Sequence, residues 1–130
     1  MNDFTMPLKI DIFYDYVEKS TKFSTLESVE VEYLGTTFDI PRGFVSDGCS
    51  IPRGLWNYVE PFDGRYLKIF TAHDWFYSTG QLSRLDADKF MYEGLRQQGM
   101  SWTKANSIYY AVRMFGKNHY DDKTMGEVLL

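Results

Sequence analysis

A chain of 130 residues is long enough for one domain with its own hydrophobic core. Its formal net charge of −4 argues against nucleic acid as a partner, because phosphate binding needs a basic surface. No apolar run approaches the roughly 20 residues of a transmembrane helix, and the first residues lack a signal-peptide pattern, so a soluble protein is expected. The single cysteine, Cys49, excludes an intrachain disulfide and fits a reducing compartment.

The first third of the chain has the alternating pattern of β-strands. Residues 8–16 are rich in aromatic and β-branched side chains, which predicts a strand. Residues 28–40 alternate strictly between apolar and polar side chains on either side of a Leu-Gly pair, which predicts an antiparallel hairpin. The side chains expected to face inward are Val29, Val31 and Tyr33, and those expected in solvent are Glu30 and Glu32.

The rest of the chain is expected to be helical after a polar loop over residues 43–61, which is rich in glycine and proline. Three helices separated by glycines are predicted at about 63–78, 84–98 and 102–115, the last two each preceded by a serine N-cap. The tail over 117–130 is polar and is expected to be loosely held. The predicted fold is a single α+β domain over residues 1–130, with a small antiparallel sheet in the N-terminal third followed by three main helices.

His73 is the main clue to chemistry. At helical spacing it falls on an aromatic face of the first predicted helix. The connection to the second helix is short enough to make the two helices antiparallel, and positions equidistant from its midpoint face each other, which places Asp88 opposite His73. A carboxylate there would fix the tautomer of the imidazole and leave its other nitrogen to act as a base, with Tyr77 bonded to the same carboxylate. Asp74 points about 100° away and is a candidate ligand for a divalent cation such as calcium.

Non-catalytic explanations stay open for each of these residues. A lone histidine on an apolar face is more often a core residue bonded to a neighbour, and Asp88 is also explained as an acidic residue in the first turn of a helix. In the polar loop, Asp47, Ser50 and Arg53 either line the wall of a site or form a structural turn. A nucleophilic Cys49 is a weaker alternative, because nothing near it in sequence lowers a thiol pKa. A zinc site is disfavoured because its candidate ligands are almost all carboxylates.

Four stretches of the chain carry a resemblance to a known family. Residues 43–53, 72–77, 87–88 and 111–116 read GFVSDGCSIPR, AHDWFY, AD and AVRMFG. This ordered set resembles a family of short uncharacterised proteins that are common in tailed bacteriophages and prophages. The resemblance implies a phage origin and supplies no activity. It also implies that a small residue usually stands at the position of Cys49.

A shorter pattern, His73-Asp74-x-x-Tyr77, resembles the catalytic helix of secreted phospholipases. In those enzymes the histidine activates water, the aspartate that follows it binds calcium, and an aspartate on the antiparallel helix orients the histidine. The resemblance implies these three roles for His73, Asp74 and Asp88. The disulfides and the calcium-loop glycines of those enzymes are not reproduced in this chain.

Two functions from different classes are therefore expected. The first is a phage-encoded hydrolase in which His73, oriented by Asp88, activates water to attack an ester or amide bond. The second is a non-enzymatic virion or tail-associated protein, or a host-interaction protein, whose His-Asp-Tyr network is structural; the aromatic content of 18% suits such a contact role. The expected partners are other phage proteins or a host protein, with oligomer formation open. The expected location is the host cytoplasm at synthesis, with virion association in the second case.

Overall fold

The computed structural model describes residues 2–46 and 63–120, except for the side chains of residues 118 and 119. The described residues form five strands, three helices and a final 3-10 turn. The strands are β1 (Ile10–Asp15), β2 (Ser20–Thr25), β3 (Val29–Tyr33), β4 (Thr36–Ile40) and β5 (Val45–Ser46). The helices are α1 (Leu67–Thr79), α2 (Arg84–Gln97) and α3 (Trp102–Phe115), and the 3-10 turn spans Gly116–His119. The fold is α+β, with small antiparallel sheets before three helices, as predicted.

The hairpin predicted over residues 28–40 is confirmed as the β3–β4 pair. The strands pair antiparallel, and the register from Val29–Ile40 to Tyr33–Thr36 leaves a two-residue turn. Both turn residues, Leu34 and Gly35, have positive φ, the backbone of the turn that best matches the twist of paired strands. The inward face carries the apolar side chains, with Val31 buried and Val29 and Tyr33 half-buried, while Glu30 and Glu32 are exposed.

A second sheet, which the sequence only partly predicted, contains three strands in the order β1-β2-β5. β1 falls within the predicted strand over 8–16, but β2 and β5 were not predicted. β2 reads Ser-Thr-Lys-Phe-Ser-Thr, so its only large apolar side chain is the fully buried Phe23, too little for an alternating pattern. β5 occupies the start of the predicted polar loop, and the loop residues from 47 onward lie outside the described residues.

The helices follow the predicted order and stop signals. α2 and α3 begin after Ser83 and Ser101, whose hydroxyls accept hydrogen bonds from the backbone of the first turn. α1 ends at Gly80, which adopts the left-handed conformation. It begins at Leu67 rather than at residue 63, and residues 64–66 form a turn in which the backbone N–H groups of residues 66 and 67 both donate to the carbonyl of Asp63.

The core lies between the β3–β4 hairpin and the helices. The ring of Phe76 on α1 contacts Phe38 of β4 at 4.9 Å and Phe90 of α2 at 5.3 Å, both edge to face. α1 and α2 approach closely where Gly94 faces Ile69, so that a Cβ at residue 94 would lie 3.2 Å from two side-chain carbons of Ile69. This tight packing fixes the register of α1 against α2.

The prediction of a loosely held tail from residue 117 is wrong for its first residues. The 3-10 turn continues α3, and Tyr120 then packs its ring at 5.2 Å from that of Tyr77. The Tyr120 hydroxyl also donates to the carbonyl of Leu82 at 2.8 Å. An aromatic side chain that finds both a ring and an acceptor is held in place, which the polar composition of the tail did not reveal. Residues 121–130 lie outside the described residues.

None of the helices within residues 2–46 and 63–120 combines the length and the apolar composition needed to cross a membrane.

Candidate active site

The antiparallel pair α1 and α2 brings His73 and Asp88 together in the core. His73 Nε2 lies 2.7 Å from Asp88 Oδ1, so the predicted hydrogen bond is confirmed. The Tyr77 hydroxyl, one turn further along α1, donates to the same carboxylate oxygen at 2.6 Å, also as predicted. His73 is 1% exposed and Asp88 is 0% exposed, so this network is sealed from solvent.

Arg113 is the member of the network that the sequence reasoning missed. It projects from the last turn of α3, and its Nη1 donates to Asp88 Oδ2 at 2.8 Å. The carboxylate of Asp88 therefore accepts three hydrogen bonds. Two come from His73 and Tyr77 on α1, and the third comes from Arg113 on α3. Arg113 stands inside the AVRMFG stretch, but no spacing rule relates α3 to the facing position on α2.

Arg84 fixes the end of α3 that carries Arg113. Its Nη2 donates to the backbone carbonyls of Val112 and Arg113 in the last turn of the helix, where the Val112 carbonyl also accepts from the backbone N–H of Gly116. A cation at this end also complements the negative end of the helix dipole. The Nε of Arg84 is buried and has no hydrogen-bond partner among the described residues.

The surroundings of Asp88 keep its carboxylate ionised. Burial by itself raises the pKa of Asp88, but hydrogen bonds from His73, Tyr77 and Arg113 outweigh it and hold the pKa below its ordinary value. Burial, together with the hydrogen bond to Asp88, raises the pKa of Tyr77, so its hydroxyl stays a donor. The hydrogen bond to Asp88 likewise raises the pKa of Arg113.

The ionised carboxylate determines the tautomer of His73. An ionised Asp88 can only accept, so His73 Nε2 must carry the hydrogen of the bond between them. In the neutral ring the other nitrogen, Nδ1, then bears a lone pair. Nδ1 is buried and has no hydrogen-bond partner among the described residues. The site thus holds an oriented imidazole whose second nitrogen bears a lone pair that no described residue binds.

The other predicted site residues lie in the polar loop and on the rest of α1. Asp47, Ser50 and Arg53, and Cys49 beside them, lie outside the described residues. Asp74 is half-buried on α1 and makes contacts of its own. Within residues 2–46 and 63–120, no group of three or more histidine, cysteine or acidic side chains is arranged to hold a metal ion. The calcium ligand role of Asp74 therefore stays a prediction.

Comparison with known proteins places the chain among bacterial relatives. It is 36% identical over 83 residues to Uncharacterized protein y4jT of Sinorhizobium fredii, an alignment that covers 63% of this chain and 25% of that protein. It is 29% identical over 87 residues to Uncharacterized protein y4iH of the same organism, covering 66% of this chain and 36% of that protein. The chain thus spans about a quarter to a third of the length of these relatives. No solved structure matches it.

A family profile matches residues 23–112, a range that begins in β2 and ends in the last turn of α3. The range contains His73, Tyr77 and Asp88, and it stops one residue before Arg113. Because the match covers more than half of the chain, the protein belongs to the family described as Protein of unknown function (DUF1353).

Proposed function

We propose that this chain is a hydrolase in which His73 activates water to attack an ester or amide bond. The observation that carries the proposal is the bonding of the two imidazole nitrogens. Nε2 is held by the ionised Asp88, while Nδ1 has a lone pair and no hydrogen-bond partner among the described residues. A general base needs this arrangement, because one nitrogen must be fixed for the other to be aimed.

The proposed step uses only the residues of the network. Water donates a proton to His73 Nδ1 as its oxygen forms a bond to the carbonyl carbon of the substrate. The positive imidazolium that results is stabilised by the carboxylate of Asp88, which lies 2.7 Å from Nε2. When the bond to the leaving oxygen or nitrogen breaks, the proton on Nδ1 passes to the leaving group. Tyr77 and Arg113 act through Asp88, and both are positioning residues.

A calcium ion beside Asp74 is the finer part of this proposal. It rests on the His-Asp-x-x-Tyr spacing, which is the spacing of the phospholipase helix. A bound divalent cation would polarise the carbonyl oxygen of the substrate. The loop residues Asp47, Ser50 and Arg53 are proposed to line the same site.

The alternative proposal is a non-enzymatic, phage-encoded protein of the virion or tail, or a protein that contacts the host, in which the network is structural. The burial of His73, at 1% exposure, favours it, because a substrate must reach Nδ1. The network also joins α1, α2 and α3 through a single carboxylate, which is the arrangement expected of a polar core that fixes helix positions.

Chemical modification of the intact protein separates these two proposals. The folded chain would be treated with a small α-bromoketone, which alkylates an accessible, unprotonated imidazole nitrogen, and the modified histidine identified by mass spectrometry. The hydrolase proposal expects alkylation of His73 at Nδ1 without prior unfolding. The structural proposal expects His73 to react only at the rate of global unfolding, measured by hydrogen exchange under the same conditions.

Activity then tests the chemistry. Hydrolysis would be measured on phospholipid vesicles and on nitrophenyl esters and anilides, with His73→Asn compared with the other histidine variant, His119→Asn. The hydrolase proposal expects kcat/KM to fall about 100-fold or more in His73→Asn and to stay unchanged in His119→Asn. If His73→Asn fails to fold, Asp88→Asn replaces it as the test variant. An unreactive His73 together with no hydrolysis of any substrate overturns the hydrolase proposal.

A further inference from the structure

The first hairpin leaves a sheet edge open. β1 is the outer strand of the β1-β2-β5 sheet, and no described strand pairs with its free side. Its centre is apolar and exposed, with Ile12 at 57% and Tyr14 at 47% exposure and Phe13 between them also exposed. An uncovered edge strand with apolar side chains is the kind of surface that pairs with another strand.

The free hydrogen-bonding groups of this edge can be assigned residue by residue. The backbone N–H of Leu26 donates to the carbonyl of Lys9 at 2.9 Å, so Lys9 points toward β2. Bonding direction alternates along a strand, so Asp11 and Phe13, which pair with Ser24 and Lys22, point the same way. The N–H and C=O groups of Ile10, Ile12 and Tyr14 therefore point outward.

The edge also lacks the features that prevent strand pairing. Natural edge strands carry a proline, a central lysine or a bulge that blocks a second strand. β1 reads Ile-Asp-Ile-Phe-Tyr-Asp and pairs with β2 in an unbroken register. Its two charged residues, Asp11 and Asp15, are both acidic, so they discourage only those pairings that place them opposite another acidic residue.

We propose that β1 pairs antiparallel with β1 of a second copy of this chain, centred on Ile12. The outward residues are those with even numbers, so the two copies can only align with even-numbered residues opposite each other. Two such registers overlap the strand most fully, one centred on Ile12 and the other on Phe13. The register centred on Phe13 is disfavoured, because it places Asp11 of each copy opposite Asp15 of the other. The register centred on Ile12 pairs Ile10 with Tyr14 and Ile12 with its own copy, through about six backbone hydrogen bonds.

Charge complementarity supports the same register. With Ile12 at the centre, Lys9 of each copy lies opposite Asp15 of the other. In the folded chain Lys9 contacts Glu27 and Asp15 contacts Lys22, both at 3.1 Å. The Lys9–Glu27 pair is exposed and contributes little, so Lys9 is free to exchange partners. The two new pairs select the alignment, while the backbone bonds and the apolar side chains supply the affinity.

Sedimentation over about a hundredfold range of protein concentration tests this dimer, which is small and therefore expected to be weak. The wild-type chain is expected to shift from the mass of one copy to that of two. Ile12→Pro should abolish the shift, because it removes an outward N–H that β2 does not use. Ile12→Val is the matched control, since it keeps the N–H and the branched side chain, and it should still dimerise. A wild-type chain that stays monomeric overturns the proposal, and binding of that monomer to phosphatidylcholine vesicles would assign the hairpin to a lipid surface instead.

Cross-linking tests the register. In a Cys49→Ser background, Ile12→Cys should form a disulfide-linked dimer on oxidation, because opposed residues of bonded antiparallel strands lie about 5.5 Å apart, within disulfide range. Tyr16→Cys, also at an exposed position, is the control, because the two copies of residue 16 would be roughly 27 Å apart in this register. Equal cross-linking at both positions overturns the register. The dimer proposal does not rest on the hydrolase function, and neither result of the cross-linking experiment bears on that function.

Discussion

Arg113 Nη1 lies 2.8 Å from Asp88 Oδ2, the carboxylate oxygen that His73 and Tyr77 do not use. This contact supplies the positive charge that a fully buried carboxylate needs, because an unpaired ion in the core costs several kcal/mol. It also ties α3 to the α1–α2 pair. The His73–Asp88 pair therefore belongs to a hydrogen-bond network that joins three helices. Through Asp88, the orientation of His73 depends on Arg113, which is distant from it in sequence.

Replacing Arg113 by methionine should destabilise the fold by roughly 1–3 kcal/mol, since it leaves the carboxylate of Asp88 without its cation. The expected cost is below that of a fully buried pair because Arg113 is 31% exposed. Urea unfolding followed by circular dichroism measures the change. Arg65→Met is the control, because Arg65 pairs with Asp63 at the surface, and its unfolding midpoint should stay essentially unchanged. Equal midpoints for both variants would show that Arg113 does not stabilise Asp88.

The stability of the fold should depend on the ionisation of Asp88. Its pKa is lower in the folded chain than in the unfolded chain, where it has the ordinary value of 3.8. The ionised carboxylate therefore stabilises the fold at pH values above 3.8, and this contribution is lost as the pH falls through the pKa of the folded chain. The difference in unfolding free energy between wild type and Asp88→Asn should be full near about pH 6 and shrink toward about pH 3. Other acidic groups titrate in both proteins and cancel. A difference that is constant across this range would contradict the lowered pKa.

The parts of the fold that the sequence predicted are those set by local rules. The β3–β4 hairpin follows from strict alternation around Leu34-Gly35, and α2 and α3 follow from a serine at the start and a glycine at the end. β2 was missed because its pairing with β1 and β5 is what makes it a strand, and only Phe23 marks its buried face. Pairing between distant segments cannot be read from the period of one of them.

In the candidate site, too, the contacts that follow from local spacing were predicted and those between distant segments were not. His73 and Asp88 were paired correctly because a short connection makes α1 and α2 mirror each other in sequence, so spacing alone relates the two positions. Arg113 was missed because its approach depends on how α3 packs across α2, which side-chain volumes decide. Helical periodicity also placed His73 on a buried face, and its burial is confirmed. Periodicity does not show whether a cleft opens onto that face, because the packing of the other elements decides it.

Calcium should raise the melting temperature of the wild-type chain if Asp74 is a cation ligand, and it should not do so in Asp74→Asn. This substitution removes the charge and keeps the size of the side chain, so no cavity confuses the result. At a calcium concentration about 100 times the dissociation constant, the expected stabilisation is about 2.7 kcal/mol. Asp39→Asn is the control, because Asp39 is exposed on β4 and its variant should respond to calcium as the wild type does. Identical melting of wild type with and without calcium would remove the cation from the proposed mechanism.

Gly94→Ala should destabilise the fold by about 1–2 kcal/mol, although alanine is the better helix former by about 1 kcal/mol. A Cβ at residue 94 would lie 3.2 Å from both Cγ1 and Cγ2 of Ile69 and 3.3 Å from its Cδ1. Ile69 would have to give way by a few tenths of an ångström, and because it is fully buried and branched at Cβ, we expect this to strain the contact between α1 and α2. Gly64→Ala is the matched control, because nothing lies within 4 Å of an added Cβ there, and its unfolding free energy should change by less than about 0.5 kcal/mol. Because the same helix pair holds His73 against Asp88, a Gly94→Ala variant of unchanged or higher stability would contradict the close packing on which the geometry of the site depends.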